Sequence, residues 1–277
     1  MALPLHVSRN GVLIPPTQAC VPVFTPALYG AYGIYESMQV ANGVVFALDA
    51  HLQRLVHSAA LLEMPLPADN STAKYWIAEV LAANSCTECT LRLFVIGGEK
   101  GAGSVAYIWP QPPTVYPMGH YTHGVPVISF PGQRFMPEAK SINTLASYLA
   151  RRQAQSAGAH EALLTHDGCL KEGANSNLFA VVDDVVLTPP PDQVLAGVTR
   201  EILIHLAHRD GVKVREAELR VADLHRWTEG FITSTSRHVM PITTVDGQPI
   251  GSGAVGPLTR RLMALYEEHF SQATTIR

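Results

Sequence analysis

The stretch Glu161-Ala-Leu-Leu-Thr-His-Asp-Gly-Cys-Leu-Lys-Glu-Gly-Ala-Asn-Ser-Asn-Leu-Phe-Ala-Val-Val-Asp-Asp-Val-Val-Leu-Thr188 decides the fold. Apolar runs at Glu161–Thr165, Leu178–Val182 and Val185–Thr188 are separated by the turn formers Asp167-Gly168 and Asp183-Asp184, so the segment reads as a meander of strands. Pro189-Pro190-Pro191 closes it. Outward from the meander, the spacing predicts a strand at Val125–Phe130 and a helix from Ser141 to Ala157 stopped by Gly158. Beyond it come a helix over Val198–His208, a strand over Glu229–Ser234 and a last helix from Pro257 to Phe270.

The N-terminal part reads differently. Tyr35-Glu-Ser-Met-Gln-Val-Ala alternates as a strand, turns at Asn42-Gly43 and returns as Val44–Leu48, because both central residues of a type I′ turn need positive φ. Asp49 is expected to cap a helix carrying Leu52, Leu55, Val56, Ala59 and Leu62 on one side. A second helix over Thr72–Ala83 and strands at Thr90–Ile96 and Ser104–Trp109 complete a mixed unit. Four prolines between Pro110 and Pro117 forbid a helix or an interior strand, so the linker belongs there. The expected division is 1–109, a linker at 110–117, and 118–277.

Composition narrows the function. Of 277 residues 47% are hydrophobic and 16% charged, with a formal charge of -3, which excludes a disordered chain and a basic nucleic-acid-binding surface. No apolar run is long enough to span a membrane and no basic, apolar leader is evident, so the expectation is a cytoplasmic protein. Four cysteines are too few for a disulfide scaffold. Cys86-Thr-Glu-Cys89 lacks the second pair a zinc site needs and reads as a polar loop. His120/His123 and His205/His208 show no third ligand nearby, so no metal is expected.

Three features point to chemistry. Gly197-Val198-Thr199-Arg200 stands where a loop becomes a helix, so backbone N–H groups, a hydroxyl and the helix dipole converge on a phosphate-sized site. Thr233-Ser234-Thr235-Ser236 offers four hydroxyls after a strand, and Arg54, one step off its helix's apolar stripe, offers a matching charge. Secondly, the chain holds fifteen arginines but only five lysines. Lys74, Lys100 and Lys213 have polar surroundings, and Lys171 reads as either solvated or paired. Lys140 differs in its neighbours, with Met136-Pro137-Glu-Ala before it, Ser-Ile-Asn-Thr-Leu-Ala after it and no basic residue within five positions on either side, the setting of a lysine whose neutral amine is accessible, or of a solvated lysine at a helix start. Thirdly, Glu172 precedes Gly-Ala-Asn-Ser-Asn, as a polar hairpin loop or as a carboxylate able to pair with a cationic ring nitrogen.

Together these segments resemble a known family. Lys140-Ser-Ile-Asn, Ala157-Gly-Ala-His-Glu-Ala-Leu-Leu164, Glu172–Phe179, Gly197-Val-Thr-Arg-Glu and Phe231-Ile-Thr-Ser-Thr-Ser with Pro241 are similar to the class IV aminotransferases. So is the opening Gly33-Ile-Tyr-Glu, Asn42-Gly and Leu48-Asp-Ala-His-Leu-Gln-Arg-Leu55. The family comprises fold-type IV enzymes dependent on pyridoxal 5′-phosphate (PLP), including branched-chain and D-amino acid aminotransferases and aminodeoxychorismate lyase. The resemblance implies an α/β (α+β) chain with a small N-terminal α/β domain and a larger C-terminal barrel-like, PLP-binding domain, in a homodimer. It implies that Lys140 is the Schiff-base and proton-carrying lysine, that Glu172 pairs with the pyridine nitrogen, and that Arg54, Val198, Thr199 and Thr235 cup the phosphate. Candidate substrate contacts are Tyr35, Arg92, Lys100 and Ser236.

The implied reaction moves an amino group between an amino acid or amine and a 2-keto acid. The alternative is a lyase-type β-elimination that releases pyruvate, and a rival of another class is a phosphate-ligand binding module without catalysis. The chain departs from the family where Ala31-Tyr32-Gly33 replaces Gly-Asp-Gly, and where no proline follows Arg92 directly. The arginine and histidine of D-amino acid aminotransferase have no clear counterpart near Lys100.

Overall fold

The structure, a computed structural model, describes residues 4–23, 25–98 and 103–275. The chain forms two units, Met1–Thr114 with Ala139–Asn143 and Ser271–Arg277, and Val115–Glu138 with Thr144–Phe270.

In the first unit, β1 (Val7–Arg9) and β2 (Val12–Ile14) form a hairpin, followed by α1 (Pro26–Gly30), β3 (Gly33–Ala41) and β4 (Val44–Val45). Helices α2 (Leu48–Leu61) and α3 (Asn70–Ala83) precede β5 (Cys89–Ile96) and β6 (Val105–Gln111). The six strands lie in the order β2-β1-β6-β5-β3-β4. Strand alternation sends Ile34, Met38 and Val40, Leu91, Leu93 and Val95, and Ala106 and Ile108 to one face. There they pack with Leu52, Leu55, Ala59, Ile77 and Val80 of the two helices. Asn42 and Gly43 have φ of 50° and 76°, as the expected turn requires.

Several expectations change in this unit. Asp49 is not the cap of α2. Ala47, at φ 51°, precedes the helix, and Asp49 lies in its first turn, exposed and 2.5 Å from Lys74 Nζ. The cap in this unit is Asp69, whose carboxylate accepts the Thr72 N–H of α3 at 2.8 Å. Strand β6 also runs two residues into the expected linker, with Pro110 opposite Leu91. Proline is tolerated there because β1 pairs β6 only at Tyr107 and Ile108, leaving Pro110 with one neighbouring strand.

The second unit holds α4 (Met118–Thr122), β7 (Val125–Pro131), α5 (Leu145–Ser156), β8 (Glu161–His166), β9 (Cys169–Gly173), β10 (Ser176–Val182) and β11 (Val185–Thr188). After α6 (Val198–Arg209) come β12 (Val214–Glu216), β13 (Leu219–Arg220), β14 (Glu229–Ser234), β15 (His238–Val245), β16 (Gln248–Pro249) and α7 (Pro257–Thr274). The path β10-β14-β15-β7-β8-β9 closes on itself through a β9–β10 pairing, which makes the barrel. Leu163, Leu170, Leu178, Ala180, Ile232, Met240 and Ile242 fill one face of this wall. On the other, Ala162 and Leu164 meet Ala150 and Ala154 of α5. Both faces being covered explains why β10 is buried at six successive positions.

The segment around Lys140 departs most from expectation. It is not the start of a helix, since α5 begins only at Leu145. It also groups with the first unit rather than with 118–277. The reason is backbone pairing: Tyr35 N–H donates to the Lys140 carbonyl at 3.0 Å, Ile142 N–H donates to the Gly33 carbonyl at 2.9 Å, and Ile34 bridges Ser141. A chain paired to β3 cannot be helical.

Candidate active site

In the first unit, Lys140 is gripped at both ends of its own residue. Its carbonyl accepts from Tyr35, and its N–H donates to Ser58 Oγ at 3.0 Å, a hydroxyl on α2 that is wholly buried. The half-buried side chain carries its Nζ 4.7 Å from the centre of the Tyr35 ring. Tyr35 in turn stacks on Phe94 at 5.1 Å, and Phe94 meets Trp109 at 5.2 Å. Arg92 shares this non-core face of the sheet, opposite Ser37 and Trp109. Lys100 lies outside the described residues.

Arg54 lies on the buried side of α2 rather than beside its apolar stripe. Its Nε donates to Glu36 Oε1 at 2.8 Å and its Nη2 to Glu36 Oε2 at 2.7 Å. His51 Nδ1 stands 2.7 Å from the same Oε2. Burial pushes the Glu36 carboxyl up, but Arg54 and then His51 outweigh it and hold it well below the usual carboxylate range. Burial lowers the His51 pKa, against the pull of Glu36 and together with the charges of Arg54 and Lys140. A neutral His51 therefore donates from Nδ1 to the carboxylate.

In the second unit, Glu172 belongs to strand β9 and not to a loop. Its Oε1 accepts Arg134 Nε at 3.0 Å and its Oε2 accepts the Leu195 N–H at 3.1 Å, with both charged side chains buried. Asn177, opposite Glu172 in the sheet, donates from Nδ2 to the Leu195 carbonyl at 2.8 Å. These bonds lay the residues before α6 against the barrel wall. Gly197 permits this close approach, because a Cβ there would stand 1.9 Å from Asn177 Oδ1, which would have to shift. Helix α6 then starts at Val198 with no side-chain cap, so its first turn presents N–H groups. The Thr199 hydroxyl accepts from Tyr266 at 3.4 Å and keeps its own proton to donate.

The hydroxyl run divides. Thr233 and Ser234 belong to β14, paired with Val239 and His238, so only Thr235 and Ser236 occupy the turn. Thr233 sits opposite Asn177, and its Oγ1 is buried without a partner. Ser236 Oγ lies 3.5 Å from the Tyr116 hydroxyl. The next residue, Arg237, is buried against Glu161 at 3.2 Å and donates from Nε to His160 Nε2 at 3.2 Å. Burial, then the charges of Arg237 and His120, pull the His160 pKa down to about 4. Glu172, Val198, Thr199, Thr235 and Ser236 thus share the second unit, and Tyr35, Arg54, Arg92 and Lys140 the first.

Among the other lysines, Lys171 is hydrogen-bonded to Gln193 at 2.5 Å, whereas Lys74 and Lys213 are exposed. Sequence reasoning missed Glu36, His51, Ser58, Arg134, Asn177, His160 and Arg237. Glu36 alone carries a local signal, a charge in phase with Ile34, Met38 and Val40 on the core face.

The family described as Amino-transferase class IV matches residues 33–245. A D-alanine aminotransferase of Bacillus licheniformis is 31% identical over 279 residues, covering 98% of this chain and 99% of that protein. A putative branched-chain-amino-acid aminotransferase of Methanocaldococcus jannaschii is 33% identical over 276 residues, covering 95% and 96%. Among solved structures, a T.th. branched-chain amino acid aminotransferase with pyridoxamine 5′-phosphate gives a TM-score of 0.91 at 27% identity, over 99% of this chain and 96% of that one.

Proposed function

Given that this chain belongs to the class IV aminotransferases, and transfers amino groups between amino acids and 2-keto acids with PLP, we propose that Lys140 is the residue that bonds the cofactor and carries the proton. The carrying observation is the double grip on the Lys140 backbone by Tyr35 and Ser58, with the amine against the Tyr35 ring. A lysine that must give up a covalent bond and then move a proton needs a fixed base and a swinging tip. The grip is on the backbone, and the proton would be carried by the side chain.

The residues fit the phosphorylated pyridine. An uncapped helix start at Val198, a glycine approach that a Cβ would crowd and a buried Thr233 hydroxyl without a partner are each suited to an oxyanion. When bound, the cofactor supplies an electron sink for the charge left on the substrate α-carbon. Glu172, paired with Arg134, would be the partner of the ring nitrogen. The groups that would hold the phosphate are the N–H groups of Val198 and Thr199 and the hydroxyls of Thr199 and Thr235, with the Arg54 guanidinium as a further donor. Lys140 would take the proton from the substrate α-carbon and hold it on its amine for return. Arg92 meets the substrate carboxylate, with Tyr35 and Ser236 as further substrate contacts.

The names of the relatives favour transamination over β-elimination. The working form is a homodimer, supported by the exposed apolar face of α5 at Leu145, Tyr148 and Leu149. No helix among the described residues is long and apolar enough to cross a membrane, and all four cysteines are free thiols, which suits the cytoplasm. Borohydride treatment of the holoenzyme should fix the cofactor to the Lys140 peptide, and Lys140→Ala should abolish amino transfer while folding normally. Retained transfer in that variant would overturn the assignment, and pyruvate release without an amino acceptor would restore the lyase.

A further inference from the structure

We propose that Glu36 and His51 are positioning residues that set the orientation of the Arg54 guanidinium for the cofactor phosphate, an inference that rests on the phosphate role given to Arg54 above. Glu36 is wholly buried on the core face of β3, between Ile34 and Met38. A carboxylate in such a place is kept only by full pairing. Arg54 provides that pairing through Nε and Nη2, at 2.8 and 2.7 Å on separate oxygens, which locks the guanidinium plane to the plane of the carboxylate.

His51 stands one turn earlier on α2 and donates to Oε2 at 2.7 Å, fixing the rotation of the carboxylate itself. The three side chains are 0%, 1% and 8% exposed. Strand β3 and helix α2 therefore determine where the guanidinium points, before any anion arrives. Ordering that an anion would otherwise have to impose is already present in the fold. Because Glu36 balances the Arg54 charge, the gain for the phosphate is directional hydrogen bonding rather than net charge.

The test compares two forms of the cofactor on the full-length protein stripped of its own, PLP and pyridoxal, which lacks the phosphate. Dissociation constants are measured for wild type, Arg54→Lys, Glu36→Gln, His51→Leu and His51→Asn. Glu36→Gln and His51→Leu should each lower the preference for PLP over pyridoxal by about tenfold or more, as expected for disturbing a hydrogen bond to a charged group. Pyridoxal affinity should stay as in wild type. His51→Asn, which keeps a donor near the Nδ1 position, should retain most of the preference. Should Glu36→Gln fail to fold, the two His51 variants carry the test. Equal loosening of both ligands would reduce the cluster to a structural role and overturn the proposal. So would unchanged preference in Glu36→Gln and His51→Leu while Arg54→Lys loses it. Unchanged preference in Arg54→Lys would instead remove the phosphate role of Arg54.

Discussion

Removing the arginine that faces Glu172 should cost the second unit more than any surface change. In Arg134→Met the carboxylate keeps the Leu195 N–H but loses the charged donor at 3.0 Å, in a site where both side chains are buried. Breaking one partner of a buried ion pair costs about 3–5 kcal/mol, because the remaining charge stays buried without the partner that balanced it. At about 2–4 °C for each kcal/mol, the corresponding fall in melting temperature is roughly 6–20 °C. The double variant Arg134→Met/Glu172→Gln separates the causes. Its amide still accepts from Leu195 but carries no charge, so most of the loss should be recovered. Thermal melts of the cofactor-free protein at neutral pH read both effects. If Arg134→Met melts with wild type, or if the double variant melts no higher than the single one, the pair is not the prop described.

Three further changes follow from local geometry. The His160 pKa, lowered by burial to about 4, lies below its unfolded value of about 6.5, so its stabilisation is intact above pH 6.5 and drains away as pH falls towards 4. After screening at this partly exposed site the loss is about 1–2 kcal/mol. His160→Gln should therefore show a smaller fall in urea midpoint than wild type between pH 7 and 4.5, and equal falls would refute the assignment. Gly197→Ala must displace Asn177 Oδ1, which a Cβ would meet at 1.9 Å. Overpacking of about 1–3 kcal/mol and weakened PLP binding are expected in melts and titrations, and a neutral variant would mean that the α6 approach is not tight. Ser58→Ala leaves the Lys140 N–H without its acceptor, costing about 1–3 kcal/mol. It should lower kcat with KM little changed, and wild-type turnover would show that the grip does not matter.

What can be read from the chain alone follows the range of each interaction. The Asn42-Gly43 hairpin, the meander turns and the start of α6 at Val198 depend on residues next to one another, and local propensity specifies them. Strand β15 is not legible because Pro241 interrupts it. Proline survives there since β7 joins only from Ile242 onward. The Lys140 segment reads as helix because it runs straight into the helical pattern that starts at Leu145. Its pairing with β3 joins residues more than a hundred positions apart. Lys140 stands out as the candidate lysine through the family resemblance of Lys140-Ser-Ile-Asn, whereas the contacts around it leave no local signal. Ser58 lies 82 residues from Lys140, and Arg134 lies 38 from Glu172.

Strand β3 shows why fold and chemistry cannot be separated in this chain. With a period of two, Tyr35 and Glu36 must point to opposite faces. Tyr35 lies beneath the Lys140 amine, while Glu36 enters the core and holds Arg54 and His51 of α2. The same helix presents Ser58 to the Lys140 backbone. A slip of one residue in the β3–β5 register would carry Glu36 to the aromatic face and Tyr35 into the core, undoing both sets of contacts at once. The apolar residues that hold the register, Ile34, Met38 and Val40 against Leu91, Leu93 and Val95, therefore fix where both side chains stand. Buried polar side chains at 36, 51, 54 and 58 would destabilise the core if unpartnered, and their pairing is what converts a packing pattern into an aligned lysine and arginine.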